Sequence, residues 1–512
     1  MTFKPRSNKP CTSMARAWWR SASGNSTKHR PQSVPGWAEP VIRRAWRRPG
    51  PADLESKPTI TRHSFTHLPT HRSGTRMKTT YAVTVLALLP WLAQAEPSAQ
   101  SQAKGFVEDS TLDALYRNFY FHRNFVNRPA GTQNYAEEWA HALILNYRSG
   151  YTTGTVGFGV DLQEYLAQNL DGGPGRVGSG LMPVGSDGHP QAFQQRFNPV
   201  VKMRISNTVL KYGSQQPDNP VFNYSDSRLL PQSYTGFSLQ SNEVKQVLLD
   251  AGYFTSGSSR VDQDHDSAIG LTFTNSNASI DARSARYAGI VYKPMNELSL
   301  LAYGSELEDI WHQYYVGATY ATPIGNGLAW DTTFNLYRTL SSGAEKAGSI
   351  SNTTWSLASG LKFGAHRIGL AFQQVQGDEA FDHQGTPGQY GRLWLANSVQ
   401  YSDFNGPNEK SAQLRYDYDF AAQGIPGLSL MARYVRGWDI DGTKANSFYA
   451  NRYGDDVKHW ERDIDLKYVV QSGTAKGLSM QVRYATARGS SANALSDLNE
   501  LRVITSYPLK IF

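Results

Sequence analysis

Short stretches of alternating polarity recur along the chain from residue 139 onward, and they predict β-strands. In 139–148, Trp139, Leu143, Leu145 and Tyr147 share one face, and Ala142, Ile144, Asn146 and Arg148 the other. In 155–162, Val156, Phe158, Val160 and Leu162 oppose Gly157, Gly159 and Asp161. The pattern returns at 411–420, 428–434, 463–471 and 478–484, where Leu414, Tyr416 and Tyr418, for example, oppose Gln413, Arg415 and Asp417. A period of two marks a strand with one apolar face. A soluble sandwich and a membrane barrel both satisfy it. Trp139, Tyr147, Tyr434, Tyr468 and Tyr484 lie at strand ends. That placement favours the membrane, because such rings settle at headgroup level.

The connections alternate too. Turns at 424–427 and 471–477 contrast with long polar stretches at 171–195, 214–240, 376–392 and 437–458. Short turns at one end and long loops at the other are the barrel pattern. A last strand at 501–512 ends on Phe512, a terminal aromatic that resembles an outer-membrane assembly signal. Pro508 and Lys510 break its alternation, which predicts a bulge or an edge position. At about ten residues per strand plus connections, 96–512 accommodates about 16–20 strands. The predicted fold is all-β, a transmembrane antiparallel barrel.

Charge changes the picture only once it is located. The 512-residue chain carries a formal +8, but residues 1–76 hold 15 Lys and Arg against 3 Asp and Glu. The rest holds 36 against 40, which argues against a nucleic-acid partner. Residues 77–95 have a lysine after Met77, an apolar run from Tyr81 to Leu92 and the small-x-small ending Ala93-Gln94-Ala95. This is a secretory signal peptide, with cleavage expected near Ala95-Glu96. Residues 1–76 are accordingly read as an extension outside the working protein, either translated upstream sequence or a disordered arm. The barrel is expected at 96–512, in the bacterial outer membrane. The single cysteine, Cys11, falls in the extension, so no disulfide is expected.

Motifs for chemistry are weak. Gly157 and Gly159 lack the third glycine, helix and acidic partner of a dinucleotide site. Asp262, Asp264 and Asp266 lack the glycine and closing glutamate of a calcium loop. The histidines form no close metal pair, and no GxSxG occurs. No catalytic residue, cofactor or metal is implied. What remains is positive charge on the polar parity of the strands: Lys202, Arg204, Arg415, Arg433, Lys467, Arg483 and Arg502. A lone inward arginine more often braces the wall beside a carboxylate. Several on consecutive strands predict a positive column that passes carboxylates from site to site.

Several stretches carry a resemblance to the OprD-like outer-membrane carboxylate channels of pseudomonads. They are Lys104 to Ser110, Thr153 to Asp161, Arg228 to Gln232, Tyr303 to Ile310, Ile350 to Leu357, Asn397 to Pro407, Tyr468 to Gly473 and Tyr507 to Leu509. The resemblance implies 18 strands, a monomer or weak trimer, and a third loop folded inward near 214–240 around Arg228. It implies passive, selective uptake of small carboxylates. The 397–407 segment looks like the branch that takes basic amino acids and short peptides. By that likeness Tyr401 and Asp403 form an acidic pocket, while Arg415, Arg433, Lys467, Arg483 and Arg502 form a basic ladder. His383 stands where the branch carries a tyrosine near the constriction, and Gln481 where it carries a base. Implied partners are the solutes, outer-membrane lipid and lipopolysaccharide, and the assembly machinery. An outer-membrane hydrolase or an adhesive barrel without a pore is the alternative.

Overall fold

The computed structural model describes residues 97–274, 280–386, 389–490 and 497–512. The expected signal peptide at 77–95 and the extension at 1–76 lie outside the described residues.

Eighteen strands form one sheet. The first six are β1 (Thr111–Phe125), β2 (Tyr135–Arg148), β3 (Val156–Asp171), β4 (Phe193–Ile205), β5 (Thr208–Gln215) and β6 (Ser233–Ser241). Next come β7 (Val247–Ser258), β8 (Ala285–Met295), β9 (Leu298–Leu307), β10 (Trp311–Gly325), β11 (Leu328–Ser341) and β12 (Ser351–Phe363). The last six are β13 (His366–Gln376), β14 (Lys410–Asp419), β15 (Leu428–Ile440), β16 (Val457–Val469), β17 (Ser479–Gly489) and β18 (Leu498–Lys510). Each pairs antiparallel with its chain neighbour, and β18 pairs with β1 from Asp113–Lys510 to Phe125–Leu498. Closure removes both sheet edges and satisfies every ladder within lipid. Among the described residues no helix is long and apolar enough to cross a membrane; the crossing is made by strands.

The alternation read from the sequence has the expected sense. Leu414, Tyr434, Ile464, Leu466, Met480 and Val482 are exposed on the outside. Pro508 sits in an unshifted ladder with β1, opposite Leu115. It lies beyond Ser506, the last residue paired with β17. No bulge forms there, and its missing N–H faces the unpaired side. Tight turns close one end, such as Asn326-Gly327 with φ of 52° and 76°. Positive φ at both positions gives the turn a twist that matches the strands.

Long connections leave the other end: 172–192, 216–232, 259–284, 377–409 and 441–456. The stretch 214–240 is therefore not all loop, because Ser233–Ser241 is a wall strand. The 259–284 loop was not anticipated, and the loop after β13 runs well past 392, to 409. The third and fourth outer loops and the one after β13 fold into the barrel, and Leu181 and Met182 of the second join the third. Leu229 and Leu230 of the third outer loop pack on Phe119, Ala140, Ile144 and Tyr165 of the inner wall. Phe222, Ile269, Phe381 and Leu395 join wall residues Tyr234, Phe254, Tyr303 and Tyr337 in the largest core. A four-stranded sheet (Ile269–Leu271, Asp281–Ala282, Gln384–Thr386, Gln389–Tyr390) ties the fourth loop to the one after β13. The plug lies against β1–β3 and against β6–β13, where inward Gln313, Thr354, Ser356 and Gln373 are fully buried. Toward the short-turn end of β14–β17, inward Arg415, Asp417, Asp465, Lys467, Gln481 and Arg483 keep contact with solvent.

Candidate functional site

Register brings the predicted basic residues onto adjacent strands of the wetted wall. Arg415 faces Arg433, Arg483 faces Arg502, and Lys467 faces Gln481. Each arginine has an acidic partner: Arg415 with Asp417 at 2.7 Å, Arg433 with Asp463 at 2.6 Å, Arg483 with Asp465 at 3.1 Å and Arg502 with Glu500 at 2.5 Å. The wall is therefore a ladder of ion pairs, not an uninterrupted positive strip. Side-chain exposure falls from 32% at Arg415 and 24% at Arg483 to 11% at Arg433 and 3% at Arg502. A solute in the lumen can touch Arg415 and Arg483. Arg502 acts through the field it shapes from beneath the surface. Gln481 donates to both oxygens of Asp465, at 2.9 and 2.7 Å, so this carboxylate is shared between Gln481 and Arg483.

Arg367 extends the ladder onto β13. It spans Asp331 at 2.5 Å and Asp417 at 3.4 Å. A side chain at Gly360 would collide with its guanidinium, so the glycine on the intervening strand is what lets Arg367 lie across the wall. Lys202 reaches Asp161 over Gly159 in the same manner at the opposite side. This structural use accounts for Gly159, while Gly157 leaves room for the Gln100 side chain.

A buried arginine cluster joins the ladder to the inward loops. Arg123, Arg228 and Arg502 all stack on Phe121, with guanidinium carbons 5.1, 5.0 and 5.6 Å from the ring centre. Glu500, fully buried, accepts from Arg123, Arg502 and Gln400. Burial, then the charges of Arg502 and Arg260, pushes Arg228 down from the ordinary arginine range. Arg260 is pushed down to about 10, chiefly by burial. Arg228 is anchored to the second outer loop through Ser179 O, at 2.8 Å.

Against this cluster lies the 397–409 segment. Arg123 lies 5.0 Å over the Tyr401 ring, which puts the arginine cluster in contact with this segment. Asp403 accepts from Tyr390 at 2.6 Å and from Ser398. Burial raises the Asp403 carboxyl, and burial followed by that carboxylate raises the Tyr390 phenol. The segment is pinned from three strands. Glu461 accepts the N–H groups of Tyr401 and Ser402 at 2.9 and 2.7 Å, and Gln373 donates to the carbonyls of Asp403 and Phe404 at 3.0 and 2.7 Å. Arg502 donates to Gln400 O at 3.0 Å.

His383 is not at the surface of this passage. It is fully buried, with Nε2 3.3 Å from Asn223 Nδ2 of the third loop. Burial pushes it down to about 3, so it is neutral. Its neighbour Asp382, pushed up to about 6 by burial, accepts from Phe273 N–H at 3.3 Å and from Tyr449 at 3.1 Å. Residues 382–383 thus tie three loops together. Below the base of the third loop a cavity of 310 Å³ is lined by Arg148, Asp161, Lys211, Asp218 and Asp250, so it also presents both signs. Arg123, Arg260, Arg367 and Tyr390 escaped the sequence reading. Arg123 follows inward Phe119 and Phe121, so its stretch reads as aromatic and not as a polar face.

A closed barrel with water at a charged inner wall, narrowed by its own loops, defines an outer-membrane channel of the porin class. Its relatives give the particular kind. A sequence model described as "outer membrane porin, OprD family" matches residues 104–511. Porin D of Pseudomonas aeruginosa is 46% identical over 433 residues, 82% of this chain and 95% of the relative. The crystal structure of OprD from Pseudomonas aeruginosa superposes with a TM-score of 0.70 at 43% identity, covering 82% of this chain and all of that one. OccK9 (OpdG) of the same species gives 0.73 at 35%, covering 80% of this chain and all of that one. The chain belongs to the OprD family of outer-membrane porins. It is a channel of the bacterial outer membrane and not an enzyme.

Proposed function

We propose that this channel passes small solutes bearing both a carboxylate and a cationic end, with basic amino acids and short peptides as the favoured class. The observation that carries this reading is the juxtaposition of opposite characters at one place in the barrel. Arg123, Arg228, Arg260 and Arg502 gather on one side, and Tyr390, Tyr401 and Asp403 on the other. A zwitterion is oriented by fields of opposite sign on facing walls. Its carboxylate is drawn by the field of Arg502 and then moves along Arg483, Lys467, Arg433 and Arg415. Each contact is exposed or already paired, so each is worth about 1 kcal/mol or less, which allows release.

Purified protein in planar bilayers tests this. Small single-channel steps should appear, and millimolar arginine should block them more than glutamate does. A sealed barrel, or equal block by both, overturns the reading. We also propose that the working chain starts near Glu96 and is a monomer or weak trimer. N-terminal sequencing of outer-membrane protein and light scattering in detergent check these two points.

A further inference from the structure

We propose that the outer surface of β15–β17, directly above the apolar band, binds a phosphate of a glycolipid in the outer leaflet. Three successive rows on this face are apolar or aromatic. Leu428, Tyr468 and Met480 pair across the strands, then Leu430, Leu466 and Val482, then Ala432, Ile464 and Tyr484. The next rows toward the long loops change character abruptly. Tyr434, Arg462 and Thr486 form one, and Arg436, Trp460 and Arg488 the other.

Three arginines thereby surround one indole. Trp460 lies directly opposite both Arg436 and Arg488, and Arg462 is two residues along the same strand. Diagonal neighbours across a sheet are about 7–8 Å apart, near enough for long guanidinium arms to converge on a single phosphate. Arg436 and Arg462 are exposed, and among the described residues neither has a hydrogen-bond or ion-pair partner. Arg488 donates to Ala487 O, Leu498 O and Asn499 Oδ1 at 2.7, 2.6 and 3.0 Å, which fixes its position on neutral acceptors; the Asp497 carboxylate lies nearby, accepting from Gly489 N–H at 2.7 Å. Lys458, on the same face, pairs with Asp456 at 2.7 Å. Tyr434 and Trp460, 5.9 Å apart, supply an amphipathic floor.

The long-loop end of β8–β10 is different. Across β8–β10, Arg286 pairs with Glu306, which also lies 3.4 Å from His312, and Arg283 pairs with Glu308 at 2.6 Å. Charge there is balanced, so nothing selects an anion. Cations at the long-loop end face the leaflet outside the cell. A phosphorylated glycolipid meets both requirements of the patch, anionic heads beside the arginines and acyl chains beside the three apolar rows.

Native mass spectrometry of the purified full barrel with bis-phosphorylated lipid A tests this, with the same lipid after dephosphorylation and with phosphatidylglycerol as comparison arms. Retention of the phosphorylated glycolipid above both comparison lipids is expected. The combined R436Q, R462Q and R488Q variant should bind about tenfold more weakly, and R286Q should bind as the parent does. If the triple variant fails to assemble, R462Q alone, which breaks no internal contact, should still weaken binding about threefold. Equal binding of the dephosphorylated lipid or of phosphatidylglycerol, or unaltered binding by the variants, overturns the proposal.

Discussion

Asp403 carries the largest consequence per atom. Its carboxylate is buried beside Tyr390 and Ser398, which keep it accepting and in place. Asp403→Asn should weaken block by arginine about tenfold in bilayers, the effect of one charge-assisted contact, with barrel assembly unchanged. Unaltered block means that the cationic end is recognised elsewhere. Because burial raises this carboxyl, block should also fade at a higher pH than for an ordinary aspartate.

Asp382 and His383 give a second residue-scale test. Asp382, at about 6, lies above the ordinary value of about 3.9, so the folded chain holds an extra proton between those limits. Its contribution to stability is full below that window and is lost as pH rises through it. His383, at about 3, lies below the ordinary value of about 6.5, so here the unfolded chain holds the extra proton. Its contribution is full above pH 6.5 and is lost as pH falls. The two trends oppose each other over about pH 4–6. Relative to the parent, D382N should lose melting temperature in detergent as pH falls from 6 to 4, and H383N should gain. Parallel pH profiles for all three proteins would refute the pairing. Residues such as these are hard to read from sequence. Their role depends on burial by Asn223, Phe273 and Tyr449, which come from three other loops.

Among elements, the strands with an apolar outside and a polar inside were legible, because a water-filled lumen enforces that contrast. β1 was not. Its inward face carries Phe119 and Phe121, covered by the third loop, while Asn118 and His122 lie on the other parity. Loops packed in the lumen invert the usual pattern and hide the strand. The 397–409 segment was legible as a family motif, but its supports were not. Glu461 shows only an inward acid in the sequence, yet it fixes two consecutive backbone N–H groups of the passage. Glu461→Gln keeps the shape but can accept through only one oxygen. Single-channel records should then show more frequent brief closures, with arginine block weakened by less than in D403N. Records identical to the parent would mean that Gln373 and Arg502 suffice to hold the segment.

For the whole molecule, the inward sign pattern decides selectivity. The basic half of the ladder was visible as parity-matched arginines. Its acidic half, and the reach of Arg367 across Gly360, depend on which strands are neighbours. Replacing Arg415 and Arg483 together with Ala releases Asp417 and Asp465 into the lumen. The reversal potential across a KCl gradient should move toward cation selectivity. The shift should be larger at 0.01 M than at 1 M salt, where screening shortens to about 3 Å. A potential that stays fixed would show that these pairs do not face the permeating ions.

Pairing every ladder arginine with an acid has a consequence for how such a gate can diversify. Loss of one member, acid or base, liberates a full charge at a chosen depth while the neighbouring strands keep their hydrogen bonds. A single codon change can thus alter which nutrients enter, without the barrel having to be rebuilt.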